Sequence, residues 1–258
     1  MDSVLFDTIP WMVPVSIIAG ILFGVIANRI KQNNPPKDGQ VVRHDGGGFF
    51  QHWGTALGIF ALIVSGILMG FLFFPTITKS PSGFMFPMNM HFVALVVTLF
   101  GGFYFLTSYF ISKKLGTLVP NSKDIIHGTI GKYILRKKWT SESKYLSSQK
   151  SSFLLFAILG LGQLATGGIK VAAHVWNLSP SLMSISTVLH DIFTLLFLIL
   201  LIEHILFVVL IKKHRVLLGS WFKRTVTEEY ARTEHPLWHT ELQKQKLTET
   251  NTEGTNNE

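Results

Sequence analysis

The stretch Ile185-Ser-Thr-Val-Leu-His190-Asp-Ile-Phe-Thr-Leu-Leu-Phe-Leu-Ile-Leu-Leu-Ile-Glu203-His204-Ile-Leu-Phe-Val-Val-Leu-Ile211 is apolar along nearly its whole length. About 20 helical residues suffice to cross a bilayer, so it reads as a transmembrane helix. Its two histidines are 14 residues apart, which is about 21 Å of rise and just under four turns. Both therefore project from nearly one face. An ionisable side chain inside a span is expensive and usually turns toward the interior of a helix bundle.

Four further apolar segments, at 9–28, 50–74, 88–111 and 151–174, are long enough to span. Composition agrees. Only 15% of the residues are charged and 48% are hydrophobic, against about a quarter charged in an ordinary soluble domain. The expected fold class is therefore all-α integral membrane, with five transmembrane helices. Residues 1–30 form an additional N-terminal helix, 31–240 a four-helix membrane domain, and 241–258, rich in Gln, Lys, Thr, Glu and Asn, a disordered tail. The chain has no cysteine, which excludes disulfides, thiolate-bound zinc, iron–sulfur clusters held by this chain and covalent c-type haem.

The connections sort by charge. The 28–49 link carries Arg29, Lys31, Lys37 and Arg43, the 111–150 link nine basic residues, and the tail from Lys212 eight. The 75–87 loop has only Lys79 and the 175–184 loop none. The positive-inside rule then places the three basic segments in the cytoplasm. Five spans with an outside N-terminus and a cytoplasmic C-terminus satisfy this throughout, as expected in a prokaryotic cell membrane. The first span has Asp2 and Asp7 before it and basic residues after it, the reverse of a signal peptide. The run Arg136-Lys137-Lys138-Trp139 reads as a segment lying on anionic lipid, and no nucleic-acid partner is expected despite the net charge of +8.

His52 opens the second span and His91 the third, while His190 and His204 share the fifth. The alternating directions of the spans give two pairs at matching depth. His91 and His190 lie near the outer face, and His52 and His204 lie nearer the cytoplasmic one. Paired imidazoles in a dry bundle suit a low-spin haem iron ligated on both axial sides. Zinc fits less well, with two ligands per site, and a proton path would not need depth-matched pairs. The expected cofactors are two b-type haems.

Other residues bear on this reading. The segment Arg43-His44 … Gln51-His52-Trp53 … Ser65-Gly66 resembles the first haem-bearing helix of the cytochrome b (gamma) subunit of membrane-bound formate dehydrogenases. The spacings of 39 from His52 to His91 and 14 from His190 to His204 are similar, as is Lys144-Tyr145-x-x-x-Gln149-Lys150. So is the C-terminal Val226-Thr227-x-Glu229-Tyr230-Ala231 … His235-Pro236-x-Trp238. The resemblance covers roughly residues 43–241, and the first span is extra to the family's four helices. It implies an electron-transfer subunit, with no catalytic residues of its own beyond a site of quinone reduction. Its partners would be an extracytoplasmic iron–sulfur subunit and a molybdenum or tungsten catalytic subunit. Electrons would pass from the outer haem to the inner one and then to a quinone, often menaquinone in such complexes, near the cytoplasmic side. Two rival readings are the cytochrome b of a nickel–iron hydrogenase or another extracytoplasmic oxidoreductase, and a non-haem membrane scaffold or transporter.

The family's loop reads Asn-Ala-Gly ahead of Gln-Lys, the Asn helping to form a quinone pocket. Here Leu146-Ser147-Ser148 stands in its place. A quinone site therefore draws on Ser147, Ser148 or Gln149, or is lost. Arg43 and His44 are candidates for haem-propionate contacts or lipid-headgroup anchors. Glu203 is a proton relay or a residue rotated about 100° from His204 toward another helix, and Asp191 lies close to the interface. Glycines within spans, including Gly66, Gly102, Gly160 and Gly167, read as packing positions or as room for a macrocycle.

Overall fold

The computed structural model describes residues 3–30, 37–44, 46–70 and 81–255. Lys31, Lys79, the end of the second expected span at 71–74, and residues 256–258 of the tail lie outside the described residues. Five helices are long and apolar enough to cross a membrane: α2 (Met12–Arg29), α3 (Gly46–Gly70), α4 (Pro81–Ile111), α5 (Ser147–Ala172) and α6 (Pro180–Leu210). A short α1 (Leu5–Thr8) precedes them, and α7 (Lys212–Lys223), α8 (Glu228–Glu234) and α9 (Pro236–Thr255) follow. The chain divides into two units, one of Met1–Lys31, Gly46–Lys114 and Phe156–Ile205, the other of Gln32–Asp45, Leu115–Leu155 and Leu206–Glu258.

In the first unit α4 is flanked by α2 and α3. Small residues set both approaches. Ser16, Gly20 and Gly24 recur every four residues on one face of α2 and are buried. A Cβ on Gly20 would lie 2.5 Å from the carbonyl oxygen of Phe100, and one on Gly24 2.7 Å from Cβ of Thr107. With no hydrophobic drive between helices in lipid, such close backbone approach is a main source of association. The α3–α4 contact is reciprocal. Gly58 of α3 lies against Thr98, and Gly101 of α4 lies against Thr55, so the two helices run antiparallel. The additional N-terminal span is thus part of this unit. The segment ahead of it is pinned too, with Leu5 N–H donating to Asn89 Oδ1 at 2.8 Å and Phe6 set edge-on against Phe92.

α5 and α6 are joined through side chains. Gly162 sits under the ring of Phe193. Gln163 Nε2 donates to the His190 carbonyl at 3.1 Å and to Thr194 Oγ1 at 2.8 Å, and Ser186 Oγ donates to the Thr166 carbonyl at 2.8 Å. Large apolar side chains such as Leu57, Phe60, Leu161 and Ile199 remain exposed, as a lipid-facing surface requires.

The second unit is built around a two-stranded antiparallel ribbon of β1 (Gln40–Val42) and β2 (Thr225–Thr227), with Val41 opposite Val226. Arg224 ends α7 in the left-handed conformation, φ 64°, and turns the chain into β2. Thr227 caps α8, its hydroxyl accepting from the Tyr230 N–H. Pro236 occupies the first position of α9, where no N–H is needed. Val41, Val226, Ala231 and Trp238 form the core, with Tyr230 and Leu242 against it. The C-terminal signature is therefore the folding core of this unit.

Two expectations differ from the structure. The third span starts at Pro81 rather than 88, because Pro87 is accommodated inside the helix; a proline near a helix start removes one hydrogen bond without ending it. Residues 241–255, expected to be disordered, continue α9, anchored at its start by buried Trp238.

Candidate functional site

All four span histidines fall in the first unit. His91 Nδ1 lies 2.9 Å from Ser65 Oγ. The same Oγ is 2.6 Å from the Ala61 carbonyl oxygen and 3.0 Å from that of Leu62. A hydroxyl has one proton, and two oxygens at 2.6 Å must have it between them. Ser65 therefore accepts from His91 Nδ1–H, which leaves Nε2 as the bare, lone-pair nitrogen.

His190 repeats this arrangement. Its Nδ1 lies 2.9 Å from Thr166 Oγ1, whose proton goes to the Gly162 carbonyl at 2.8 Å. Again Nδ1 carries the hydrogen and Nε2 is free to bind a metal. Gly167 allows α5 to pass beside this ring, since a Cβ there would lie 3.3 Å from His190 Cε1.

His91 is within direct electrostatic reach of His190, and His52 of His204. The His204 ring meets Phe156 edge-on with centroids 5.8 Å apart. Next to His52, buried Gln51 donates to Ser108 Oγ at 2.9 Å, which ties the start of α3 to the end of α4.

Space accompanies the nitrogens. Gly66 follows His52 by 14 residues and Gly102 follows His91 by 11, so each lies close to the histidine face of its own helix. Gly66 adjoins Ser65, the partner of His91, and Gly102 adjoins Gly101, which abuts Thr55 one turn from His52. Each glycine is thus level with the other helix's histidine. A Cβ on either meets nothing within 4 Å. Among the described residues no three or more His, Asp or Glu converge, so a closed zinc site is not formed. Imidazole lone pairs beside glycine-lined space match the axial needs of haem iron.

The remaining candidates take other places. Arg43 belongs to the second unit and is 2% exposed. Its guanidinium lies over Trp238 and Tyr145, 5.5 and 5.9 Å from the ring centres, and 3.5 Å from His235 Nε2. A planar guanidinium stacks well on aromatic faces, and this stacking makes Arg43 part of the unit's core. His44 stacks on Trp221. Burial pushes the His235 imidazole down to about 3, with the nearby Arg43 charge acting in the same direction.

The loop before α5 is occupied with building that helix. Gln149 Oε1 accepts from the Leu146 N–H at 3.0 Å. Ser147 is fully buried; its N–H donates to Glu142 Oε2 at 2.7 Å and its hydroxyl lies between Glu142 and Asp124. Lys132 pairs with Glu142 at 2.8 Å and Lys150 with Asp124 at 3.1 Å. Burial opposes the Asp124 charge, but the Asn121 N–H, Lys150 and Ser147 together hold its carboxyl below the usual range. Ser148 Oγ donates to Tyr133 Oη at 3.3 Å, and that phenol lies 3.4 Å from His214 Nε2. Glu203 and Asp191 are on the exposed side of α6, and Lys170 donates to Thr187. Ser65 and Thr166 are the site residues that sequence reasoning does not single out as histidine partners. No spacing links either to the histidine it holds.

A comparison with curated proteins finds no match. A family model described as prokaryotic cytochrome b561 matches residues 43–219, a stretch that contains all four histidines and stops short of the 226–238 signature. It supports a cytochrome b rather than the formate dehydrogenase subunit in particular. The chain belongs to the prokaryotic cytochrome b561 family, membrane proteins that bind haem b and transfer electrons.

Proposed function

We propose that the protein is a two-haem electron-transfer subunit. His91 and His190 would hold the haem nearer the outer face, and His52 and His204 the haem nearer the cytoplasm. The observation that carries this reading is the matched anchoring of His91 and His190, each with Nδ1 tied to a buried hydroxyl and Nε2 left bare. Bound haem supplies a reversible one-electron iron couple. The chain's own residues fix the ring orientations, keep the site dry and leave room at Gly66 and Gly102.

The donor in this reading is an iron–sulfur subunit of a formate-dehydrogenase-like complex with a molybdenum or tungsten catalytic subunit, and the acceptor is menaquinone. Support comes from the 226–238 signature, which lies beyond the family match, and from the histidine spacings. Three basic segments on one side support a cytoplasmic C-terminus. Ser148, Tyr133 and His214, joined in one chain of polar contacts, would serve quinone protons in this reading.

The test is a reduced-minus-oxidised spectrum and a pyridine haemochrome assay on the purified protein, with identification of co-purifying subunits. Two haems b per chain and a molybdenum- or tungsten-bearing partner are expected. Absence of b-type absorption would refute the haem assignment, and a nickel–iron partner would replace the formate dehydrogenase reading with the hydrogenase one.

A further inference from the structure

We propose that Ser65 and Thr166 form a matched pair of hydroxyl acceptors that orient His91 and His190 and set the potential of the haem between them. This rests on the two-haem reading above. The two residues belong to different helices and reach their histidines across 26 and 24 residues of sequence, yet they are built alike. Each sits in a helix and gives its single proton to a backbone carbonyl four residues earlier, Ala61 for Ser65 and Gly162 for Thr166. Each then has only acceptor capacity left, and spends it on an imidazole Nδ1–H at 2.9 Å. Ser65 is 0% and Thr166 5% exposed, so water does not compete.

A buried N–H that loses its acceptor is left unsatisfied. The bond does more than orient the ring. Partners of the non-ligating nitrogen fix the tautomer and raise the basicity of the ligating one. A more basic Nε2 donates more electron density and favours the oxidised iron. A neutral hydroxyl does this less than a carboxylate would, so the pair trims the potential by a limited amount. Ser65 and Thr166 are positioning residues, acting through the imidazoles.

The experiment is a redox titration of the full-length purified protein, followed by visible absorption and electron paramagnetic resonance. The variants are Ser65→Ala, Thr166→Val, and the conservative Ser65→Thr and Thr166→Ser. In Ser65→Ala and Thr166→Val the same one of the two haem components moves to higher potential, and its low-spin signal shifts. The other component stays in place, and the conservative variants return the first to its original value. Selective loss of that one haem in both variants is the same result in stronger form. Unchanged potentials overturn the proposal, as does a shift of different components in the two variants or loss of both haems together. A parent protein with two haems and unresponsive variants defeats this proposal alone, whereas a parent protein without haem defeats the reading beneath it.

Discussion

Arg43 and Trp238, 195 residues apart in the chain, meet with the guanidinium 5.5 Å from the indole ring centre. The contact closes the core of the second unit, bringing the segment before α3 onto the start of α9. Trp238→Ala is expected to cost about 3–5 kcal/mol, the range for large aromatic truncations. Arg43→Lys should cost about 1 kcal/mol, because an ammonium cannot stack as the guanidinium does. Hydrogen exchange of amides 225–242 measures both, and exchange as slow as in the parent protein would show that the cage does not hold the unit.

The second unit should weaken in acid. His235 has its pKa lowered from 6.5 to about 3 by burial and by Arg43, with Lys132 and His214 also facing it and the Ser143 carbonyl opposing. Below pH 6.5 the unfolded chain binds a proton that the folded one refuses. Stability is therefore full above pH 6.5 and falls as pH drops toward 3, by about 2 kcal/mol at pH 5. His214 is also lowered by burial and adds to the same trend. Limited proteolysis of the unit at pH 7.5 and pH 5 reads the effect, and His235→Gln should flatten the dependence.

His190→Ala should reduce bound haem from two per chain to one, with the His52/His204 haem kept. His52→Ala should remove the other haem and spare the first. Pyridine haemochrome stoichiometry checks both. Equal loss of both haems in either variant would contradict the pairing.

Glycines should divide into two kinds. Gly66→Leu and Gly102→Leu place side chains where nothing lies within 4 Å of the new Cβ, so membrane insertion and helix content are kept while haem content falls. Gly20→Leu drives a Cβ to 2.5 Å from the Phe100 carbonyl oxygen, so it should separate α2 from α4 and lower the melting temperature with haem still bound. Circular dichroism with haem quantification distinguishes the outcomes, and full haem occupancy in Gly102→Leu would show that its open space serves no cofactor.

The spans and histidines were readable because lipid imposes a strong constraint. Some 20 apolar residues are needed, and a histidine among them stands out. The hydroxyl partners were not readable, because Ser65–His91 and Thr166–His190 are contacts between helices whose register the sequence does not state. Arg43 is a related case: its distance from His52 along the chain points to a propionate or a lipid headgroup, whereas the contacts found come from Trp238 and Tyr145 in distant segments. Leu146-Ser147-Ser148 looked like a departure from a quinone loop; Ser147 instead anchors a buried network with Glu142 and Asp124.

The reciprocal contacts of Thr55 with Gly101 and of Thr98 with Gly58 come from one Thr-x-x-Gly tetrapeptide present on both α3 and α4. Antiparallel helices matched in this way are related by a local two-fold axis lying across the helix pair, which exchanges the His52 end with the His91 end. A framework with interchangeable ends gives an electron no preferred direction. Directionality must then come from what breaks the symmetry: the exchange puts Ser65 in the place of Ser108, yet Ser65 holds His91 whereas Ser108 accepts from Gln51.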